Sequence, residues 1–317
     1  MPEKPQEHQT DRFKSLFPGE DSRREMRQAH QERIERLQLG RFIQELDTNG
    51  YTVVPPSVTG LTGHDIDLLV DLLLKKSEAL VGCAFSVEQG AENELDYGEY
   101  RGTLELQSNA KPSQFQLMQL CTYDRAFRDL AVNETAVSLM RHMIGPVDTR
   151  FSSHNCFIKW KGEGYGASLG LHCDQSQIPL PWGLNALTAN CNWCLSEYTR
   201  ENGAFACVPG SHLRHRPPVM PEAIEEAIPV ECPRGSLIAF HGQLWHGAFP
   251  RANDGLRVTI ANYYRHATIL PQDDIPNSFN RELADDCRDP EQFKQLAGFG
   301  TPYRSQVLPV PRAVKQV

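Results

Sequence analysis

Two imidazoles and a carboxylate are spaced so that they could bind one metal ion. His172 and Asp174 lie two positions apart in the segment Leu171–Asp174. In an extended strand alternate side chains share a face, so these two are predicted to project together. His246 would supply a second imidazole from a later segment. Two histidines and one carboxylate that leave metal positions open are typical of non-haem Fe(II) sites. The sequence therefore predicts a divalent metal centre.

Three other histidines compete with His246 for the third position. His212 falls in a predicted turn, where a hydrogen bond within the loop is the simpler role, and His215 lies in the connection that follows it. His241 ends an apolar strand and is the remaining alternative. A third ligand must return to the first two, and His246 suits this because it lies between two predicted strands.

An arginine begins the apolar run that follows His246. Arg257 is the first residue of Arg257–Tyr264, which is predicted to be a strand. A guanidinium buried in such a strand requires a partner, and its planar fork matches a carboxylate through two parallel hydrogen bonds. Thr259 lies two residues on, on the same face, and would add a hydroxyl. We expect an anionic small molecule here, unless Arg257 is a surface residue.

Further motifs accompany these residues in a fixed order. Glu201–Gly203, Val208–His212 and Gly235–Phe240 lie between Asp174 and His246. The ordered set resembles the phytanoyl-CoA dioxygenase family of Fe(II)/2-oxoglutarate-dependent oxygenases, over roughly residues 40 to 265. The resemblance implies a mainly β protein with flanking helices, built on a double-stranded β-helix (jelly-roll) core.

The resemblance also implies roles for particular residues. His172, Asp174 and His246 would bind Fe(II), and Arg257 would bind the distal carboxylate of 2-oxoglutarate. The position of Asn192 faces the cosubstrate, although related enzymes often carry an aromatic residue there. Lys159 and Lys161, on the strand before the metal segment, are candidates for the other carboxylate, and Arg265 is a further basic residue that could replace Arg257.

We expect an oxidoreductase that uses O2 and 2-oxoglutarate to hydroxylate a moderately apolar small molecule. A carboxylate in the ligand set favours hydroxylation over halogenation. One alternative is a cupin-like metal-dependent isomerase or hydrolase without 2-oxoglutarate, and another is a non-catalytic jelly-roll binding protein. The apolar segment Ile178–Leu184 and residues 84–116 are expected to border the pocket. Arg214, His215 and Arg216 are candidate contacts for a CoA group.

Several short predicted strands, separated by Gly and Pro residues, indicate an antiparallel barrel or sandwich. Periodic apolar residues predict helices over Thr62–Leu80, Asp124–Ile144 and Pro290–Ala297. We divide the chain into a polar, partly helical extension (1–38), an oxygenase domain with N-terminal helices (39–266) and a C-terminal extension that packs on the core (267–317).

Composition restricts the classes of partner. The net charge is −8, with 40% hydrophobic and 23% charged residues. Nothing favours nucleic acid, which requires a clustered basic surface, and no segment has the roughly 20 apolar residues of a membrane span. Nine cysteines, an odd number, favour reduced thiols and a cytoplasmic location without a signal peptide. Cys191 and Cys194 are expected in the core, because a zinc ribbon needs a second pair.

Overall fold

The computed structural model describes residues 20–82, 84–91, 113–162 and 164–299. Residues 1–19 of the N-terminal extension and residues 300–317 of the C-terminal extension lie outside the described residues. Most of 84–116, which was expected to border the pocket, also lies outside them.

A six-stranded antiparallel sheet forms the centre of the protein. Its order is β1-β9-β6-β11-β5-β4, so strands distant in sequence are neighbours. The strands are β1 (Tyr51–Val54), β4 (Gln114–Leu117), β5 (Thr149–Lys159), β6 (Thr188–Cys194), β9 (Leu237–His241) and β11 (Arg257–His266).

A three-stranded sheet faces the large one. It contains β7 (Phe205–Cys207), β8 (Ile228–Val230) and β10 (His246–Ala248), in the order β10-β7-β8. The rings of Phe205 and Phe240, one from each sheet, lie 4.9 Å apart between centroids. The sheets form an open sandwich, and β2 (Phe85–Ser86) and β3 (Gly90–Ala91) form a separate short hairpin whose Phe85 packs against Phe115 of β4.

Most of the helices pack on the apolar outer face of the large sheet. The helices are α1 (Glu20–Arg36), α2 (Gly40–Asn49), α3 (Pro56–Thr59), α4 (Gly63–Val81), α5 (Arg125–Ala131), α6 (Glu134–Ile144), α7 (Glu222–Glu226), α8 (Ile275–Ser278) and α9 (Pro290–Ala297). The short α7 instead packs in a separate apolar cluster with Trp182 and Ala206 of the small sheet. Within the parts of the chain that the structure describes, no helix is long and apolar enough to cross a bilayer.

The prediction of a single helix over Asp124–Ile144 was wrong, because residues 132–133 interrupt the helical backbone and separate α5 from α6. The side chain of Asn133 accepts a hydrogen bond from the backbone N–H of Ala136 at 3.2 Å and so begins a second helix. Asparagine is among the preferred residues at a helix start. Apolar periodicity alone did not reveal this capping site. The helix predicted over Pro290–Ala297 is confirmed with the same bounds.

The two faces of the large sheet differ in chemistry. Val258 and Ile260 of β11 belong to the apolar core shared with the helices. Arg257, Thr259 and Tyr263 alternate with them and line a cavity between the sheets. Successive side chains of β11 therefore alternate between the apolar core and the cavity.

The predicted core cysteines are confirmed. Cys191 and Cys194 of β6 are fully buried, and the Sγ of Cys194 lies 3.6 Å from that of Cys232. Each cysteine that the structure describes carries a free thiol.

Residues 267–299 pack against β5. Asp273 accepts a hydrogen bond from the backbone N–H of His154 at 3.2 Å, and Phe293 of α9 lies 5.3 Å from the ring of Phe151. The three-part division of the chain stays a prediction.

The carboxyl of Asp273 is a buried acid whose ionisation should oppose folding. Burial raises its pKa from 3.8 to about 6, despite the hydrogen bond from His154. Between these pH values the folded state keeps a proton that the unfolded state has lost, so stability falls as pH rises from about 4 to 6. Asp273→Asn keeps the acceptor without the charge. We expect it to exceed the wild type in unfolding free energy by up to about 3 kcal/mol above pH 6.

Denaturant unfolding between pH 4 and 8 measures this effect, with the exposed neighbour variant Asp274→Asn as the control. The difference between Asp273→Asn and the wild type should vanish near pH 4. A difference that is the same at pH 4 and pH 7 would contradict this explanation.

Candidate active site

His172 and His246 are brought together by their backbones. The N–H of each donates to the carbonyl of the other, at 2.9 and 2.8 Å. The Nε2 atom of each ring lies 3.6 Å from Oδ1 of Asp174. This distance is too long for a hydrogen bond, and the ligand atoms of all three residues lie within 4.8 Å of one another. The arrangement leaves space for one ion between them.

Both imidazoles are oriented by backbone carbonyls. Nδ1 of His172 lies 2.8 Å from the carbonyl oxygen of Gly170, and Nδ1 of His246 lies 3.0 Å from that of Leu244. A carbonyl only accepts, so Nδ1 carries the proton in each neutral ring. The lone pair on each Nε2 then faces Asp174. Such supporting hydrogen bonds are typical of metal-binding histidines.

The charges of the three groups suit a cation. Burial lowers the pKa of His246 to about 4, so this imidazole is neutral at pH 7. Burial opposes ionisation of Asp174, but His246, His172 and the Asn190 amide outweigh it and lower its pKa. A carboxylate with neutral imidazoles is the donor set of non-haem iron sites. These residues fit such a metal.

The expected strand over Leu171–Asp174 was wrong in extent. His172 forms a single bridge with His246, and Asp174 begins a 3-10 turn, Asp174–Gln177. Cys173 between them is extended, with φ −132° and ψ 140°, so the two ligands still share a side. The close approach depends on Gly247, where a Cβ would lie 2.1 Å from the carbonyl oxygen of Leu169.

The three residues open onto a cavity of about 400 Å³ between the two sheets. Arg257, Thr259, Asn192 and Lys159, all predicted from the sequence, also line it. The predicted site residues therefore share one cavity. The metal cluster is at its small-sheet side, and Arg257 is on the wall formed by β11.

Arg257 is buried, with 5% of its surface exposed. One Nη1 hydrogen bond goes to the carbonyl oxygen of Gly203, while the buried Nε has no hydrogen-bond partner in the protein. Leaving a buried charged donor without an acceptor is costly. A carboxylate in the cavity would remove this cost.

Sequence analysis missed Tyr198, which supports Arg257. The guanidinium carbon lies 5.1 Å from the centre of the Tyr198 ring, and the Tyr198 hydroxyl is hydrogen-bonded to that of Thr259. Its inward position depends on a bridge with Cys232, a residue distant in sequence. No local pattern signalled this contact.

The other basic candidates lie in different surroundings. Lys159 lines the cavity, and its Nζ lies 4.7 Å from the centre of the Tyr165 ring. The prediction of Lys161 as a cosubstrate contact was wrong, because its side chain is exposed and its Nζ forms an ion pair with Oδ1 of Asp254 at 3.1 Å. The prediction that Arg265 could replace Arg257 was also wrong. Its guanidinium donates to backbone carbonyls, including that of Phe151 at 3.1 Å.

The competing histidines lie outside the cluster. Nε2 of His212 lies 3.2 Å from the Asp47 carbonyl oxygen, and Nδ1 of His215 lies 2.9 Å from Oε1 of Gln243. Nδ1 of His241 accepts from the Gln243 N–H at 3.1 Å. Among the residues that the structure describes, His172, Asp174 and His246 form the one candidate metal cluster.

The expected position of Ile178–Leu184 at the pocket was wrong. The indole N–H of Trp182 donates to the Ile178 carbonyl at 2.8 Å, which folds the segment on itself. Trp182 and Ile178 pack in a separate apolar cluster, and Leu184 is exposed. Among the residues of 84–116 that the structure describes, Gln116 lines the cavity. The expectation of an apolar substrate rested on this segment and loses its basis.

The candidate CoA contacts do not line the cavity either. Arg214 forms an ion pair with Glu226, and Arg216 lies 5.1 Å over the ring of Trp245. His215 is hydrogen-bonded to Gln243. These side chains are therefore engaged elsewhere on the protein.

Comparisons with known proteins agree with this architecture. The family model described as phytanoyl-CoA dioxygenase (PhyH) matches residues 73–259. The dioxygenase af480 of Aspergillus fumigatus is 29% identical over 188 residues, which cover 58% of this chain and 59% of that protein. The chain thus spans about three-fifths of the length of this curated relative.

Two solved structures share the fold at low sequence identity. The epimerase SnoN, in complex with Fe3+, alpha-ketoglutarate and nogalamycin RO, gives a TM-score of 0.54 at 19% identity, over 76% of this chain and 91% of that one. HygX from Streptomyces hygroscopicus, with nickel and 2-oxoglutarate bound, gives a TM-score of 0.51 at 15% identity, over 73% of this chain and 88% of that one. The expected jelly-roll core, mainly β with flanking helices, is confirmed.

Removing either histidine should abolish metal binding. His172→Ala or His246→Ala takes away one of three protein ligands, and even losing an outer-shell partner of a ligand costs about 10- to 100-fold in affinity. We expect Fe(II) affinity to fall by more than about 100-fold in both. Anaerobic Fe(II) titration measures this, and His64→Ala, on the exposed start of α4, is the control. Near-normal iron binding in either variant would refute the assignment.

Proposed function

The chain belongs to the phytanoyl-CoA dioxygenase family, and we propose that it is a non-haem Fe(II)/2-oxoglutarate-dependent dioxygenase that hydroxylates a small molecule. One observation carries the proposal. A two-histidine, one-carboxylate cluster shares a cavity with a buried arginine whose Nε has no partner in the protein. The cluster suits the metal, and the arginine suits the cosubstrate.

Fe(II) would be bound by His172, Asp174 and His246. The support is the convergence of two Nε2 atoms and a carboxylate oxygen, each oriented by neighbouring groups. Three protein ligands leave further positions for the cosubstrate and O2. The rings of Phe205 and Phe240 pack on His246 at 5.4 and 4.7 Å, which limits the access of water to that side.

2-Oxoglutarate would extend from the metal to Arg257. Its distal carboxylate would accept from Nε and from an Nη atom of Arg257, with the Thr259 hydroxyl beside it. Lys159 pairs with Arg257 across β5 and β11 and would add positive charge. Asn192 lies opposite Ala261 on the same wall and would contact the middle of the cosubstrate. These groups position the cosubstrate and do not themselves react.

The bound metal and cosubstrate would supply the oxidising power, with O2, 2-oxoglutarate and substrate converted to hydroxylated product, succinate and CO2. The protein would bind the reactants next to one another and orient them. Tyr198 would fix the guanidinium through its ring and would fix Thr259 through its hydroxyl. Asp174 remains ionised because the neighbouring imidazoles and Asn190 favour its charged form.

The two alternative functions explain less. A cupin-like isomerase or hydrolase would use the metal but would leave the buried Nε of Arg257 without a partner. A non-catalytic binding protein would need neither. We also propose a cytoplasmic location, supported by the free thiols of the described cysteines.

Variants of Arg257 separate cosubstrate binding from metal binding. Charge-assisted hydrogen bonds contribute roughly 1.5–3 kcal/mol each, and about 1.4 kcal/mol corresponds to tenfold in affinity. We expect Arg257→Ala to weaken 2-oxoglutarate binding by roughly ten- to a thousand-fold. Arg257→Lys should fall between, because an ammonium cannot form the paired hydrogen bonds. Fe(II) affinity without cosubstrate should stay near that of the wild type.

Anaerobic calorimetry of the Fe(II) forms measures both affinities. Arg234→Ala is the control, since Arg234 pairs with Asp67 at the surface at 2.5 Å. Wild-type affinity for 2-oxoglutarate in Arg257→Ala would show that another group binds the cosubstrate, and the proposal would then lose its main support.

A further inference from the structure

Two asparagine side chains in the cavity have acceptors without partners. Asn155 of β5 is 7% exposed, and its Oδ1 is buried and has no hydrogen bond. Oδ1 of Asn190 on β6 is likewise buried and without a partner. Both residues line the cavity that holds the metal cluster. A buried unsatisfied acceptor costs about 1–3 kcal/mol, so a ligand that donates to it would gain from the contact.

The orientation of the Asn155 amide follows from its neighbours. Its Nδ2 donates to Oγ of Ser153 at 3.3 Å, and the Ser153 hydroxyl donates to Oε1 of Gln272 at 2.8 Å. A hydroxyl has one proton. With that proton committed to Gln272, Ser153 can only accept from Asn155, and Oδ1 of Asn155 is left without a donor beside the cavity.

The orientation of the Asn190 amide follows from Asp174. Nδ2 of Asn190 lies 3.4 Å from Oδ2 of Asp174. An ionised carboxylate only accepts, so the amide must present its N–H₂ group to it. Oδ1 of Asn190 is therefore also left as an acceptor.

The cosubstrate cannot satisfy these atoms. 2-Oxoglutarate at neutral pH offers only acceptor oxygens, and two acceptors cannot pair. The partner must carry hydrogen-bond donors. A cationic donor is disfavoured, because Lys159 and Arg257 lie on the same wall and the carboxylate of Asp174 faces the imidazoles. Uncharged donors therefore fit, and a hydroxyl group is the simplest of them.

The space between the two acceptors suits a small ring compound. Asn155 pairs with Ala261 of β11, and Asn190 pairs with Tyr263 two residues further along. Two strand spacings and one two-residue step separate their backbones by about 12 Å. Ala261, with its small side chain, lies between them and leaves room above the sheet.

We propose that this cavity binds an uncharged, hydroxyl-bearing small molecule whose O–H groups donate to Oδ1 of Asn155 and Oδ1 of Asn190. The inference rests on the proposed function in that this molecule is the substrate to be hydroxylated. It replaces the expectation of a moderately apolar substrate. Asn155, two strands away from Asn190, acts as a specificity-determining residue.

Matched pairs of compounds test the need for donors. The probes are cyclohexane-1,2-diols, inositols and methyl hexopyranosides, each with its fully O-methylated counterpart, which keeps the oxygens but loses the protons. Binding is measured calorimetrically under argon on protein supplied with Fe(II) and 2-oxoglutarate. We expect at least one hydroxylated probe to bind about tenfold more tightly than its methylated counterpart. A panel without any such preference would overturn the proposal.

Asn155→Leu removes the acceptor at nearly constant size and should reduce that preference by about five- to tenfold. Gln114→Leu is the matched control. Gln114 on the adjacent strand β4 is equally buried, at 7% exposed, and also has an unpartnered amide atom, but it does not line the cavity. It should keep the preference of the wild type. An unchanged preference in Asn155→Leu would mean that ordered water alone serves Asn155 and would refute the proposal.

Thermal unfolding distinguishes binding from folding. Each substitution removes a buried amide atom that has no partner, which offsets the loss of the other amide contact. We therefore expect Asn155→Leu and Gln114→Leu to stay close to the wild type in thermal stability, so lost binding cannot be attributed to unfolding. The same calorimetry reports 2-oxoglutarate binding separately. If the cosubstrate does not bind, the proposed function fails, while the comparison of hydroxylated with methylated probes on the same protein still decides the present inference.

Discussion

The reciprocal backbone pair between His172 and His246 is the constraint on which the site depends. It joins a short extended segment to β10, and it places two imidazoles with ring centroids 4.4 Å apart. Asp174 then follows at the start of a tight turn, which brings its carboxylate to both Nε2 atoms. Gly247 is necessary because any larger residue would collide with the Leu169 carbonyl. Two hydrogen bonds and one glycine thus create the metal-binding geometry.

The large sheet supplies the rest of the cavity by alternation. One face of β11 is committed to an apolar core under the helices, and the other carries Arg257, Thr259, Ala261 and Tyr263. A one-residue shift in register would exchange these faces. The core that stabilises the fold therefore also fixes the direction in which the arginine points. This coupling explains how a charged residue can be buried within an otherwise apolar strand.

The sequence was informative where function depends on residue type and local spacing. His172, Asp174, His246 and Arg257 could be selected because few residue types bind metals or carboxylates, and the structure brings them to one cavity. Contacts between segments that are distant in sequence could not be predicted from local patterns. Tyr198 reaches Arg257 through a bridge with Cys232, and Ile178–Leu184 turns away because Trp182 binds its own segment. The break before α6 depended on one capping side chain, which apolar periodicity does not detect.

The polarity of the cavity also became visible only in three dimensions. Ser153 and Asn155 lie on β5 and Asn190 lies on β6, two strands that β11 separates in the sheet, and each residue alone is typical of an ordinary strand. Their hydrogen-bond directions, taken together, leave two buried acceptors without donors at the wall of the cavity that holds the metal cluster. Substrate preference in this protein is therefore a property of the assembled sheet.

The central claim is that one cavity binds Fe(II) and 2-oxoglutarate in direct contact. Visible absorption under argon tests this most directly, because an iron-bound 2-oxo acid gives a weak charge-transfer band that neither component gives alone. The account predicts that the band appears when 2-oxoglutarate is added to the Fe(II) protein and saturates at one equivalent per chain. Protein that binds iron and yet shows no band at saturating 2-oxoglutarate would contradict it.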